Sequence, residues 1–176
     1  MIDKCVLNLR CRRTRNEILK KQFPMRFTRW YDENHIKNTN CYGYIFNMNI
    51  ISEEDERFSY LGWTERERKF YYTKETAEEA MLLDMKNLRF KVRKLKKVPK
   101  PKRNKINFAF FLGMTAGKPN GDFHFVRQNH DGSWSEKLGY DGEVGIFKDT
   151  NNKVCFPHKS DYDEIDFIGY YQASIK

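Results

Sequence analysis

No stretch of this 176-residue chain approaches the ~18 consecutive apolar residues a membrane-crossing helix needs. The opening Met1–Ile2–Asp3–Lys4–Cys5–Val6–Leu7–Asn8–Leu9–Arg10 lacks the apolar core of a secretory leader, so a cytoplasmic protein is expected, with no membrane partner. Cysteine is sparse: Cys5, Cys11, Cys41 and Cys155, with no Cys-x-x-Cys. In a cytoplasmic chain these read as free thiols rather than a disulfide framework. Cys5 and Cys11 have no histidine at metal-ligand spacing, which argues against structural zinc. A Gly-rich phosphate loop is also missing, as are paired carboxylates on a predicted helix and any zinc-finger, RNA-recognition or helix-turn-helix signature. No cofactor and no metal is therefore expected.

Aromatic residues, by contrast, are plentiful at 15%, while hydrophobic residues as a whole make up only 39%. A domain of this size buries an adequate core without staples, and here Phe and Tyr must supply much of it. The net charge of +9 is localised. From Lys86 to Lys105 there are 11 basic residues and no acidic one; taking those 11 from 33 leaves 22 basic against 24 acidic elsewhere. The chain is thus near neutral and carries a basic ribbon.

The length suits one domain: a basic N-terminal arm over 1–37, then an α+β unit over 38–176 with a basic loop at 94–105. In the arm, residues 14–21 suit a short helix ended by Pro24, with Phe27, Trp30 and Tyr31 packing on the domain. Asn38, Thr39 and Asn40 are each able to cap a helix over Cys41–Met48; a strand is the alternative, and Gly43 weakens both. Residues 52–72 read as an irregular crossing with a turn at Gly62. A helix is predicted at about 74–88, capped by Thr76 or Thr73, with Ala77, Ala80, Met81, Met85 and Leu88 on one face. Residues 89–93 alternate as a half-exposed strand, and Ile106–Gly113 reads as a buried central strand. Gly117–Gly121 and Asn151–Asn152 read as turns, and Ile165–Tyr171 as a closing strand. Between them, Asp122–Lys137 reads as a hairpin turning on a type I′ Asp131–Gly132 pair.

That hairpin and the Cys41 stretch hold the chemistry. A cysteine nucleophile needs a thiolate, and a helix N-terminus favours one. An imidazole then takes the proton and returns it to the leaving group, while a third polar side chain fixes the ring. Cys41 follows a capping sequence, His124 heads a strand, and Glu136 lies on the returning arm; Ser135 and Gln128 are alternative orienters. Two-residue pairing across Asp131–Gly132 sets Glu136 opposite Arg127, on the face away from His124, unless a bulge intervenes. His35, His130 and His158 compete for the role of base.

Cys41 opening a helix, His124 beginning a strand and Glu136 beyond a tight turn resemble the NlpC/P60 and CHAP group of papain-like cysteine amidases and peptidases over about residues 38–140. The motifs Asn40–Cys41–Tyr42 and Asp122–Phe123–His124–Phe125 also resemble a set of bacterial and phage proteins. The resemblance implies a papain-like α+β fold and a catalytic Cys41, His124 and Glu136. It implies amide hydrolysis or acyl transfer on a peptide, peptidoglycan or protein substrate. Two positions depart from the group: the histidine strand is usually small and aliphatic but is Phe125–Val126–Arg127 here, and the third residue is usually His, Asn or Gln.

Plainer roles exist for each residue. Cys41 fits an inert buried thiol, His124 an ordinary core histidine, and Glu136 a salt bridge to Arg127 or Lys137. The ribbon fits a solvated, flexible loop. The rival functional expectation is a non-catalytic phage or bacterial inhibitor of anti-defence type, acting in the host cell. Lys91, Arg93, Lys94, Lys96, Lys97, Lys100, Lys102 and Arg103 would contact a nucleic acid or an acidic protein.

Overall fold

The structure, a computed structural model, describes residues 39–46, 60–65, 73–102, 104–139, 142, 144–161 and 164–175. The expectations for the arm, for Cys5, Cys11, His35 and Arg103, and for most of 47–72 lie outside these residues.

Helix α1, Cys41–Ile45, is a turn and a half whose five residues are all buried. Helices this short are unstable alone, so packing and capping must hold it. Asn40 is the cap: its side-chain oxygen accepts from the backbone N–H groups of Tyr42 and Gly43, both at 3.0 Å. The Tyr42 ring stacks on Phe125 at 4.5 Å between centroids, which seats the helix on the sheet.

Helix α2, Lys74–Asn87, is capped by Thr73, which accepts from the Thr76 N–H at 3.1 Å. It buries Ala77, Ala80, Met81 and Met85, with Leu88 just beyond its end, the face that helical spacing predicts. Asp84 lies on the same buried face. Its carboxylate accepts from Gly62 N (2.8 Å), Thr64 N (3.0 Å), Thr64 Oγ1 (2.7 Å) and the Tyr42 hydroxyl (3.1 Å). One acidic side chain thereby ties α2, the 60–65 segment and α1 together. Burial pushes its pKa up against the pull of those four donors.

The strands are β1 Phe90–Leu95, β2 Ile106–Thr115, β3 Lys118–Gln128, β4 Trp134–Lys137, β5 Val144–Ile146 and β6 Ile165–Ile175. They form one antiparallel sheet in the order β1-β6-β2-β3-β4-β5. With few helices among the described residues, the fold is α+β. The helices cover one face, over Phe108, Phe110, Leu112, Phe125, Tyr171 and Ala173. The other face carries a second apolar cluster: Ala109, Phe111, Val126, Trp134, Phe147 and Tyr170.

The expected closing strand over Ile165–Tyr171 is present, extends to Ile175 and lies inside the sheet, where β6 inserts between β1 and β2. A strand paired on both sides buries both faces, and Tyr170 and Tyr171 do so on opposite ones. The type I′ turn is elsewhere than expected. Ala116 (φ 51°) and Gly117 (φ 77°) make it, joining Thr115 to its partner Lys118. The β3–β4 loop has three residues, His130, Asp131 and Gly132, closed by Asn129 N–H to Ser133 O at 2.7 Å. The Gly132 N–H returns to Asn129 O at 3.1 Å, and Gly132 has φ 91°. This is a type I turn followed by a left-handed bulge residue. Asp131 stabilises it by accepting from Ser133 N (2.9 Å) and Ser133 Oγ (2.6 Å).

Candidate active site

The extra loop residue decides where Glu136 points. Across a two-residue turn Glu136 would face Arg127. In the structure Glu136 pairs with Val126, and Arg127 with Ser135. A shift of one residue carries a strand's side chains to the opposite face. Glu136 therefore shares a face with Val126 and His124, lying diagonal to His124 across the ladder, within reach of a long side chain. Its Oε2 is 2.6 Å from His124 Nε2. Both side chains are about nine-tenths buried, at 10% and 8% exposure.

The thiol completes the group. Cys41 is the first residue of α1, and its Sγ approaches the Phe123 carbonyl oxygen at 3.9 Å, one residue before His124. The β3–β4 ladder extends only as far as the Val126–Glu136 pair, so His124 stands two residues beyond it. Alternation puts the His124 ring on the face of Phe111, whose ring lies 6.3 Å away, while α1 packs on the face of Phe125. The thiol thus sits against the backbone next to His124, beyond the end of that ladder. Burial alone would lower the pKa of His124. Hydrogen bonds and charge interactions with Cys41 and Glu136 more than offset it and push the ring up to about 10.

The other expected roles sort out by partner. Ser135 lies on the helix face, its hydroxyl bonded to the Tyr44 hydroxyl at 2.8 Å and to Asn129 Oδ1 at 2.9 Å. Gln128 binds Asn107 and the Pro99 carbonyl. Neither orients His124. The salt-bridge alternatives for Glu136 also fall. Arg127 stacks over the Tyr44 ring at 4.6 Å and donates to the Tyr44 carbonyl, and Lys137 donates to Gly139 O (2.7 Å) and Gly142 O (2.9 Å). Among the competing bases, His130 is exposed in the hairpin loop and His158 is held by the Tyr170 hydroxyl at 2.6 Å. Cys155 is half-buried, away from α1 in sequence and on the second apolar cluster.

Sequence reasoning missed three supporting residues: Phe111 behind the imidazole, Tyr42 anchoring the thiol's helix, and Asp84 anchoring Tyr42. Alternation in the apolar run 106–113 was the available signal for Phe111. Nothing local marks the other two, whose partners lie tens of residues away.

The basic ribbon is an edge strand followed by a loop. Lys91, Arg93, Lys94, Lys96, Lys97, Lys100 and Lys102 are all exposed. Lys94 pairs with Glu78 at 2.5 Å, and Arg93 donates to Gln172 at 2.8 Å. Cations along an edge strand also discourage pairing with foreign strands. The loop is not a free one, since side chains of the sheet bond its backbone at Pro99 and Lys100.

Among the described residues no group of His, Cys, Asp and Glu is arranged to hold a metal ion, and no helix is long and apolar enough to cross a membrane. Comparison with protein-family models, with curated proteins and with solved structures gave no match.

Proposed function

We propose that this protein is a papain-like cysteine hydrolase or acyltransferase that acts on an amide bond, with Cys41 as nucleophile, His124 as acid–base and Glu136 as orienter. The observation that carries this reading is the meeting of three polar side chains from a capped helix and two strands, Glu136 and His124 being 2.6 Å apart. Such groups are costly to bury, and a core needs none of them. The same three residue types in the same order of roles make up the thiol version of the nucleophile–base–orienter triad.

With His124 already carrying the proton, as its raised pKa requires, the Cys41 sulfur attacks the amide carbonyl carbon. The C–N bond then breaks, with the His124 imidazolium giving its proton to the departing nitrogen and an S-acyl enzyme forming. Water (in hydrolysis) or an amine (in transfer) attacks the thioester carbonyl and loses its proton through His124, and the Cys41 thiol is restored. Glu136 keeps the ring oriented and offsets its charge throughout, as a carboxylate does for an imidazolium.

The test is selective alkylation. Iodoacetamide at neutral pH is expected to label Cys41 ahead of Cys5, Cys11 and Cys155, and His124→Ala to slow that labelling by about tenfold or more. Equal labelling of all four thiols, indifferent to His124, sinks the reading. A Cys41→Ser protein supplies the blank for any amidase assay.

A further inference from the structure

Residues 96–102 form a strap laid over one face of the sheet. Val98 packs on the Val126–Trp134–Tyr170 cluster. Gln128 Nε2 donates to the Pro99 carbonyl at 2.9 Å, and Asn107 Nδ2 to the Lys100 carbonyl at 3.1 Å. Those two side chains are bonded to each other at 2.8 Å, and Asn107 is bonded in turn to Gln172, which holds Arg93. A row of cross-strand amides thus fixes the strap's backbone. Pro99 and Pro101 keep it extended. Lys96, Lys97, Lys100 and Lys102 remain exposed, and none of them forms an ion pair among the described residues. Immobilising an extended backbone whose four ammonium groups have no ion-pair partner among the described residues gathers like charge that an anionic ligand relieves.

This is the face on which His124 lies. Gln128, which holds the strap, and His124 are on the same strand and the same face, four residues or roughly 13 Å apart. An extended peptide of about four residues covers that span, with alternate side chains repeating every ~6.6 Å, close to the Lys100–Lys102 interval on an extended strap. Aromatic rings that would stack on bases are absent from 96–105. We propose that the strap is the docking surface for an acidic polypeptide, which it holds extended toward Cys41 and His124. The proposal rests on the amide-cleaving reading for the identity of the polymer.

The experiment uses the full chain and a fluorescent poly-glutamate peptide. Binding is followed by anisotropy, and Cys41 alkylation is timed with and without the peptide. The parent protein is expected to bind the peptide, more weakly as salt rises from about 0.05 to about 0.3 M, and to alkylate more slowly when peptide is present. Lys96→Glu, Lys97→Glu, Lys100→Glu and Lys102→Glu together are expected to lower the affinity by about tenfold or more and abolish the protection. The intrinsic alkylation rate should stay unchanged, and the four Lys→Gln changes should fall in between. Equal peptide binding by parent and variant overturns the proposal. Strap-dependent protection by oligo-thymidylate but not by poly-glutamate overturns it in favour of a nucleic acid. Strap-dependent peptide binding beside an unreactive Cys41 upholds the docking surface and sinks the hydrolase.

Discussion

His124 is one of four histidines in the chain and, among the described ones, the one with a carboxylate on a ring nitrogen. Its pKa of about 10 in the fold stands against an ordinary value near 6.5. A proton NMR titration is expected to find the His124 ring still charged at pH 8, where a free imidazole is neutral. Glu136→Gln should move that midpoint down; a midpoint near 6.5 in the parent would contradict the contacts described. Stability follows from the sign of the shift. A histidine whose pKa is raised by folding stabilises the protein fully below about 6.5, and that contribution fades as pH climbs through about 10. Urea unfolding of the parent should therefore show stability falling across that window, with a flatter profile for Glu136→Gln. Asp84 is the second buried residue with much at stake. Asp84→Ala leaves Gly62 N–H, Thr64 N–H and the Tyr42 hydroxyl without their acceptor, and is expected to cost roughly 3 kcal/mol or more in denaturant unfolding. Asp84→Asn keeps part of the set and should cost less.

At the scale of elements, the three-residue loop between β3 and β4 does the positioning. Gly132 sits at φ 91°, where an L side chain is strained, although a Cβ there would meet nothing closer than Pro101 at 3.9 Å. The strain alone predicts that Gly132→Ala costs about 1–2 kcal/mol and Gly132→Asn less, since Asn tolerates the left-handed region. Chemical denaturation distinguishes the two; equal losses would point to a clash instead. The Asp-Gly pair was legible in the sequence as a turn, but its type was not. Asp131–Gly132 is compatible with a two-residue turn and with a three-residue loop ending in glycine, and the two differ by one residue of register. That residue separates a Glu136 facing Arg127 from a Glu136 facing His124. The decision lies with packing: in the observed register Trp134 and Val126 both enter the second cluster.

For the whole molecule, the sheet order is what brings the parts together. Helix α1 lies 82 residues in sequence from its contact at Phe123, and its head rests where the β3–β4 ladder has ended. The candidate site thus lies where that ladder ends, with the helix layer on one face of β3 and the basic strap fastened at Gln128, four residues further along the strand. Inserting β6 between β1 and β2 sets the strap-bearing edge two strands from β2 and three from β3. The Arg93–Gln172–Asn107–Gln128 row spans that distance with hydrogen bonds at each step.

The sequence by itself determined the α+β class, helix α2 and its buried face, the central strand β2, the hairpin, a set of capping residues before Cys41 and the concentration of charge in 86–105. Each of these is written in local periodicity, capping chemistry or composition, which act over a few residues. Tertiary structure alone decided the place of β6, the register that turns Glu136 toward His124, the meeting of the Cys41 thiol with that ring, and the fastening of the basic loop. These depend on contacts between residues 7 to 83 positions apart. Their energies come from burying particular faces together, which no local pattern specifies.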